Sequence, residues 1–229
     1  MIYIISDIHG NIDALKKFFK SIYLKPEDKI YALGDYVGYY YHPNECLNLL
    51  RKYKVNCIKG NHDINLIKSF KNNKLLNLFS DKYGKSYDET KKKITIKNLT
   101  FLRKMKNNSK IIFPSYKVLL SHGAPWKNDC YIYPDADKKT LNKFLDYDYE
   151  IFFVGHTHRK YIHKYKKKII YNPGSIGQPR DGYKGINWIQ FEPKSKKITF
   201  HNRKYDSSKV KKEIKLRDKE KYHKLVKYL

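Results

Sequence analysis

The sequence has 229 residues, 41% of them hydrophobic, and a formal net charge of +27. This length and apolar content allow a substantial core, in one large domain or two small ones. No run approaches the ~20 consecutive apolar residues of a membrane-spanning helix, and the first residues lack a signal-peptide pattern. We therefore expect a cytoplasmic protein that does not enter a membrane.

The positive charge comes from 43 lysines and only 6 arginines. Such a surface attracts anionic substrates and lowers the free energy of a nearby polyanion. Arginine, which suits bidentate phosphate contacts, is scarce, and the abundance of Tyr, Asn and Ile is typical of a compositionally biased genome. We therefore favour solvated surface charge over a dedicated nucleic-acid surface. A nucleic-acid partner stays open, and the sequence does not determine the oligomeric state.

The first half of the chain alternates short apolar runs with amphipathic segments. Ile2–Ile5 predicts a first strand, and residues 11–23 carry apolar side chains at helical spacing. A second strand is expected in KIYALGD (29–35), a second helix near Pro43, and a third strand in VNCIKGNHD (55–63). This alternating order predicts a parallel sheet.

The second half begins with a polar, helix-like stretch. Between 64 and 110 we expect a helical excursion that could form a lid. The apolar runs KVLLSHG (117–123) and IFFVGHTH (151–158) predict buried strands, and three later runs separated by Gly and Pro predict antiparallel strands. Residues 207–229 predict a basic helix. Because no linker-like segment interrupts the chain, we expect one domain over 1–229.

Five of the predicted strands end in polar side chains. The carboxyl ends of parallel strands lie side by side, and ligands bind in the crevice outside them. We therefore expect these side chains to meet at one place, including five of the nine histidines. The candidate metal ligands among them are Asp7, His9, Asp35, Asn61, His122, His156 and His158.

Seven oxygen and nitrogen donors are too many for one ion. They suit two metal ions about 3.5 to 4 Å apart that share a bridging carboxylate. The absence of sulfur favours manganese, iron, zinc, cobalt or nickel. We therefore predict two divalent transition-metal ions, with manganese preferred.

Five sequence blocks resemble, in order and spacing, the signature blocks of the calcineurin-like metallophosphoesterases. They are SDIHGN (6–11), GDYVGY (34–39), GNHD (60–63), SHG (121–123) and GHTH (155–158). NPGSIGQPRDG (172–182) and YD (205–206) resemble the small bacterial and archaeal phosphodiesterase branch. The resemblance covers nearly the whole chain. It implies an α/β fold of the four-layer αββα sandwich type, with two mixed sheets packed face to face between helices.

The resemblance also implies roles for individual residues. One metal would be held by Asp7, His9, Asp35 and His158, and the other by Asp35, Asn61, His122 and His156. Asp35 would bridge the two ions, and a metal-bound hydroxide would attack phosphorus. His62 would stabilise the transition state or protonate the leaving oxygen, with Asp63 as its orienting partner.

Two positions differ from the protein phosphatases and symmetrical diadenosine tetraphosphatases of this family. No arginine follows Asp35 in its block, and Asp63 stands where those enzymes usually have glutamate. We therefore do not expect protein phosphatase activity. Arg159 and Arg180 remain as candidates to bind a non-reacting phosphate, with a surface role as the alternative for each.

The resulting hypothesis is a dinuclear metal-dependent phosphodiesterase acting on an anionic phosphoester, for which a nucleotide-derived compound is one candidate. A phosphomonoesterase with the same metal centre stays open. So does a non-catalytic interaction module, as is known for a retromer subunit on this fold. Tyr39, Tyr40 and Tyr41 could form a base-stacking platform, but in a chain with 22 tyrosines we interpret this run as coincidental.

Overall fold

The computed structural model describes residues 1–229 and contains ten strands in two five-stranded sheets. The strands are β1 (Ile2–Ile5), β2 (Lys29–Ala32), β3 (Asn56–Cys57), β4 (Asn108–Phe113), β5 (Tyr116–Ser121), β6 (Ile151–Phe153), β7 (Lys160–Tyr165), β8 (Lys168–Pro173), β9 (Ile186–Glu192) and β10 (Lys197–Arg203). Their order is β10-β9-β1-β2-β3 in the first sheet and β4-β5-β6-β8-β7 in the second.

Nine α-helices connect or cover these strands. They are α1 (Ile12–Ser21), α2 (Pro43–Lys52), α3 (Asn61–Ser69), α4 (Asn73–Tyr83), α5 (Ser86–Lys93), α6 (Ile96–Lys104), α7 (Lys138–Asn142), α8 (Ser208–Arg217) and α9 (Tyr222–Val226). The longest, α4, has 11 residues, and none of the nine has the length and apolar character needed to cross a bilayer.

In the first sheet, β1 lies between a parallel and an antiparallel neighbour. Ile4 is paired with Tyr31 of β2 in the parallel register and with Ile189 of β9 in the antiparallel register. Because β1 and β2 run in the same direction, the residues that follow them emerge at the same edge. Accordingly, the backbone N–H of Asp7 donates to the carbonyl oxygen of Gly34 at 3.1 Å.

In the second sheet, β5, β6 and β8 are parallel, and β4 and β7 run antiparallel at the two edges. The chain leaving β5 enters the SHG block, and the chain leaving β6 enters the GHTH block. The backbone N–H of Gly155 donates to the carbonyl oxygen of His122 at 2.7 Å, which holds these two strand ends together.

The sheets pack face to face and are covered on their outer sides by helices. The central layer buries Ile4, Leu33, Val118, Leu120 and Phe153. The outer face of the first sheet packs on α1 and α2 through Ile5, Leu15, Phe18 and Leu47. The second sheet packs on α7 and the following 3₁₀ turn through Leu141, Phe144 and Phe152. The expected αββα sandwich of two mixed sheets is therefore confirmed.

Some predictions of local structure from the sequence were wrong. The blocks were expected at one crevice of one parallel sheet, but β5 and β6 belong to a second sheet, and β4 and β7 were not predicted. The third strand is only Asn56–Cys57, and the GNHD block begins helix α3. The expected C-terminal helix is divided at Asp218, whose carboxylate accepts hydrogen bonds from the Lys85 backbone and the Tyr41 hydroxyl.

The helical excursion lies between β3 and β4 and consists of α3, α4, α5 and α6. It begins at Asn61 rather than at 64, because the first turn of α3 already contains part of the GNHD block. Tyr83 of α4 and Tyr87 of α5 pack against His62, with ring centroids 4.4 and 5.7 Å away. The excursion therefore covers one side of the edge at which the strand ends meet.

Candidate metal centre

The seven predicted ligand side chains come from both sheets and meet at one edge of the sandwich. Six of them are almost fully buried, and Asn61 is half-buried at the start of α3. Asp7 and His9 follow β1, Asp35 follows β2, His122 follows β5, and His156 and His158 follow β6.

The first group of ligand atoms consists of Asp7, His9 and His158. Nε2 of His158 lies 3.3 Å from Oδ1 of Asp7 and 3.1 Å from Nε2 of His9. Oδ1 of Asp7 and Nε2 of His9 are 3.9 Å apart. These three atoms are close enough to one another to surround a single cation.

The second group consists of Asn61, His122 and His156, together with Asp35. Nε2 of His122 lies 2.9 Å from Oδ1 of Asn61 and 3.3 Å from Oδ2 of Asp35. Asp35, His122 and His156 offer ligand atoms that all lie within 4.8 Å of one another.

Asp35 lies between the two groups. Its Oδ2 is 3.7 Å from Nε2 of His9 in the first group and 3.3 Å from Nε2 of His122 in the second. Its Oδ1 accepts a hydrogen bond of 2.8 Å from the backbone N–H of His62, in the first turn of α3. The carboxylate therefore directs one oxygen towards both groups, the arrangement of a bridging ligand.

The backbone at the start of α3 lies very close to Asp35, and this closeness requires glycine at position 60. A Cβ atom on Gly60 would lie 2.1 Å from Oδ1 of Asp35 and 2.4 Å from its backbone nitrogen. Contacts this short are sterically forbidden, so a side chain at this position would displace Asp35 or the start of α3.

Three of the histidines have their ring orientation set by the backbone. In each ring, Nδ1 lies within hydrogen-bond distance of a backbone carbonyl oxygen. The distance is 3.0 Å from His9 to Val37, 2.8 Å from His122 to Leu33 and 2.8 Å from His158 to Gln178. A carbonyl oxygen only accepts hydrogen bonds, so Nδ1 carries the proton in each case. In the neutral ring the lone pair is then on Nε2, which faces the centre, as is typical of metal-binding histidines.

These lone pairs favour the binding of a positive ion. Nε2 of His9 and Nε2 of His158 face each other at 3.1 Å, although two neutral acceptors cannot bond to each other. Oδ1 of Asp7 and Nε2 of His156 are buried and have no hydrogen-bond partner. Buried acceptors without a partner are costly, and a divalent cation in each group would satisfy them. The residues present therefore fit metal binding.

Burial shifts the pKa values of several of these groups. It raises the pKa of Asp7 to about 7 and lowers the pKa values of His9 and His156 to about 4 and about 3, because a charged group loses its hydration. Burial alone would lower the pKa of His122 as well, but the Asp35 carboxylate outweighs it and raises that pKa to about 9. His9 and His156 are thus neutral at pH 7, the form that binds metal.

The backbone is strained at the same positions. Five of the predicted ligands have positive φ angles, a region that residues other than glycine rarely adopt. The angles are 55° at Asp7, 52° at His9, 58° at Asp35, 66° at His156 and 58° at His158. Such strain costs about 1–3 kcal/mol per residue and is concentrated at functional sites. Its clustering here supports a functional role for this edge.

His62 lies beside both groups in the first turn of α3. One of its ring nitrogens is within 4.8 Å of ligand atoms of His9 and Asp35, and its Nδ1 lies 2.7 Å from the hydroxyl oxygen of Tyr87. A Cβ atom on Gly38 would lie 2.4 Å from Nδ1 of His62, so the glycine makes room for this ring. Tyr87 was not identified from the sequence, because the segment SYDE (86–89) that contains it indicates only the start of a helix, and Tyr87 lies 25 residues after His62.

Asp63 does not make the expected contact with His62. Its carboxylate accepts three backbone hydrogen bonds, each of 2.9 Å, from Asp35, Tyr36 and Gly60. Because α3 begins at Asn61, Asp63 is the third residue of the helix and points back at its N-terminus, as in a capping box. Asp63 therefore positions the segment that carries Asp35, and the partner of His62 is Tyr87.

The two candidate arginines occupy different environments. Arg180 is half-buried, its backbone N–H donates to the carbonyl oxygen of His158 at 2.9 Å, and its guanidinium donates to the Tyr39 hydroxyl at 3.0 Å. Nε of Arg180 is buried without a partner. Arg159 is exposed and stands 6.0 Å over the ring of Tyr133. Only Arg180 lies next to the candidate metal centre.

The run Tyr39 to Tyr41 does not form a stacking platform. The Tyr39 ring packs edge-on against His9 at 4.7 Å, and the buried Tyr40 donates to the carbonyl oxygen of Leu225 at 3.2 Å. Tyr41 bonds to Asp218. These side chains therefore anchor the C-terminal helices beside the centre.

Comparison with protein families gives a match over most of the chain. Residues 1–192 match the model of the calcineurin-like phosphoesterase superfamily domain. An uncharacterized protein of Methanocaldococcus jannaschii is 34% identical over 231 aligned residues, which cover 92% of this chain and 90% of that protein.

Solved structures with the same fold align over nearly the full length. A metallophosphoesterase from Sphaerobacter thermophilus has a TM-score of 0.79 and 25% identity, with 100% of this chain and 99% of that chain covered. A hypothetical protein from Pyrococcus horikoshii OT3 has a TM-score of 0.83 and 21% identity, with 99% and 97% covered.

Proposed function

The chain belongs to the calcineurin-like phosphoesterase superfamily, and from this premise we propose that it is a metal-dependent phosphodiesterase. The observation that carries the proposal is the position of Asp35, whose Oδ2 lies within 4 Å of Nε2 atoms of both ligand groups. Two separate groups of buried donors that share one carboxylate are suited to a dinuclear centre.

The proposed centre uses all seven predicted ligands. One divalent ion would be held by Asp7, His9, Asp35 and His158, and the other by Asp35, Asn61, His122 and His156. The donors are nitrogen and oxygen atoms without sulfur, which suit manganese, iron, zinc, cobalt and nickel. Among these metals we propose manganese. Bound ions of this kind lower the pKa of coordinated water and polarise phosphoryl oxygens.

His62 is proposed to donate a proton or a hydrogen bond to the leaving oxygen. The Tyr87 hydroxyl engages Nδ1 of His62 at 2.7 Å, so Nε2 is the ring nitrogen available to a substrate. His62 also donates its backbone N–H to Asp35, so helix α3 holds the ring in a constant position relative to the shared carboxylate. Burial lowers the pKa of the free His62 ring to about 3, so proton donation requires the bound anionic phosphoester to raise this pKa. Proton donation of this kind contributes about 10²- to 10⁴-fold to rate.

Arg180 is proposed to bind a non-reacting phosphoryl oxygen. The guanidinium is held by Tyr39 and by Gln178, to which it donates at 2.6 Å, while Nε lacks a partner. Of the two candidate arginines it is the one beside the centre, and a single guanidinium suits the single negative charge of a phosphodiester. A single arginine beside the centre, with none after Asp35, is the feature that supports a diester over a monoester.

The test uses protein freed of metal with a chelator and then reloaded with manganese. We expect the reloaded protein to hydrolyse bis(p-nitrophenyl) phosphate with a higher kcat/KM than p-nitrophenyl phosphate, and the metal-free protein to hydrolyse neither. A preference for the monoester would support the phosphomonoesterase alternative. Metal-loaded protein that hydrolyses no phosphoester would support the interaction-module alternative and overturn the proposal.

A further inference from the structure

A cleft of about 380 Å³ opens directly beside the candidate metal centre. This volume lies in the range of about 300–1,000 Å³ typical of small-molecule sites. We call it the α4 cleft, because one of its walls is helix α4. Its lining residues include Asn61, His156, Asp129, Tyr131, Leu78 and Phe79. Two of them, Asn61 and His156, belong to the proposed metal ligands, so a molecule in the cleft would contact the reacting centre.

One wall of the cleft is an exposed aromatic stack. The Tyr131 ring lies 3.8 Å from the ring of His156 at an interplanar angle of 25°, and 5.3 Å from the ring of Tyr133 at 5°. Tyr131 and Tyr133 are 46% and 41% exposed. The Tyr131 ring thus has two stacked neighbours, and part of its aromatic surface stays exposed to solvent.

The other wall is apolar and belongs to the helical excursion. Leu78 is 57% exposed although it is a large aliphatic residue, and Phe79 is half-buried beside it. Exposed apolar and aromatic side chains that line the same cleft are typical of a binding site for a flat apolar group. Asp129 and Lys82 add polar groups to the lining.

We propose that the α4 cleft binds the nucleobase of a nucleotide-derived phosphoester, an inference that rests on the proposed phosphoesterase function. A nucleobase has two apolar faces for Tyr131 and Leu78 and a polar edge for Asp129. Stacking of a base on an aromatic side chain does not depend on which base it is. A sugar phosphate without a base would leave both walls of the cleft exposed. The stack at Tyr131, and not the run from Tyr39 to Tyr41, would then contact the base.

The experiment compares ligands that differ only in the base. Calorimetry on manganese-loaded protein measures the Kd of AMP, CMP and ribose 5-phosphate. Loss of one aromatic–base stack by alanine substitution is worth about 1–3 kcal/mol, or roughly 5- to 100-fold in affinity. We therefore expect both nucleotides to bind at least fivefold more tightly than ribose 5-phosphate.

Two variants and one control test whether the preference for ligands with a base arises in the α4 cleft. Tyr131→Leu removes the aromatic face, and Leu78→Ser changes the opposite wall without touching a candidate metal ligand. Each should reduce the ratio between the Kd values of ribose 5-phosphate and AMP towards one. Tyr23→Leu is the control, because Tyr23 is 83% exposed and lies outside the cleft, and it should keep the wild-type ratio.

The possible failures are distinguishable. Equal affinities for AMP and ribose 5-phosphate, with hydrolysis of bis(p-nitrophenyl) phosphate intact, would overturn this inference alone. A base preference that survives in both cleft variants would also overturn it. Absence of hydrolysis of every phosphoester would instead overturn the proposed function on which the inference rests.

Discussion

The hydroxyl oxygen of Tyr87 lies 2.7 Å from Nδ1 of His62, and both side chains are buried. Burial raises the pKa of Tyr87 well above its ordinary value, so the phenol keeps its proton and can donate it. When Nδ1 accepts that hydrogen bond, the proton of the neutral imidazole is on Nε2. In this arrangement Tyr87 of α5 leaves Nε2 of His62 free to donate to a substrate. The same hydroxyl also lies 3.4 Å from the carbonyl oxygen of His62, a longer contact than the one to Nδ1.

This relationship predicts that Tyr87→Phe lowers kcat by about tenfold while the metal content stays unchanged, because the His62 ring loses its preferred tautomer. Steady-state kinetics and elemental analysis measure the two quantities. Tyr83→Phe is the matched control, since the Tyr83 ring also packs on His62, at 4.4 Å, but makes no hydrogen bond to it. Equal losses of kcat in both variants would contradict the assignment.

The His62→Ala variant separates proton donation from electrostatic stabilisation. We expect it to keep its metals and to lose about 10²- to 10⁴-fold in kcat on an alkyl phosphodiester. The loss on a nitrophenyl diester should be much smaller, because nitrophenolate leaves without a proton. An equal loss on both substrates would indicate electrostatic stabilisation, and loss of metal would show that His62 is itself a ligand.

Substitution of Asp35 should lower metal binding in both ligand groups at once. Asp35→Asn keeps the shape of the side chain but removes the charge shared between the two ligand groups, so the metal content should fall from about two ions per chain to less than one. His158→Ala, which changes only the first group, should keep about one ion. Asp146→Asn on the surface serves as the control. Elemental analysis of dialysed protein that finds one ion or none in the wild type would contradict the dinuclear model.

Arg180 and Arg159 should differ in their effect on substrate binding. Hydrogen bonds to charged groups contribute about 1.5–3 kcal/mol, so Arg180→Met should raise KM for a phosphodiester by roughly 10- to 100-fold. Arg180→Lys should give an intermediate KM, because lysine keeps the charge but not the planar fork. Arg159→Met should leave KM for a substrate without a base almost unchanged, since this side chain lies over Tyr133 and not beside the centre.

Asp63 should matter for stability as well as for activity. Its carboxylate accepts three buried backbone N–H groups, and an amide in its place would oppose one or more of them with a second donor. We expect Asp63→Asn to lower the free energy of unfolding by about 2–4 kcal/mol, as measured by denaturant titration. A change below about 0.5 kcal/mol, the range of an ordinary surface substitution, would show that these bonds are not needed.

The residues of the proposed centre are a prediction that follows from local sequence patterns. Asp, His and Gly placed directly after short apolar runs mark the ends of strands, and that signal is local. The parallel pairing of β1 with β2 also follows from local alternation of strand and helix. For this reason all seven candidate ligands, from Asp7 to His158, are predictable from the sequence.

Only the tertiary structure decided how these residues are held. The centre lies where two sheets meet rather than along one, and no periodicity in the chain reports which strands share a sheet. Tyr87 reaches His62 because α5 packs over α3, and Tyr131 stacks on His156 from a loop without a motif. Asp63 binds backbone rather than His62, because the first turn of α3 turns its side chain back towards Asp35. Each of these contacts joins residues that are at least 25 positions apart in the sequence. Such contacts depend on the packing of whole elements, which local patterns do not encode.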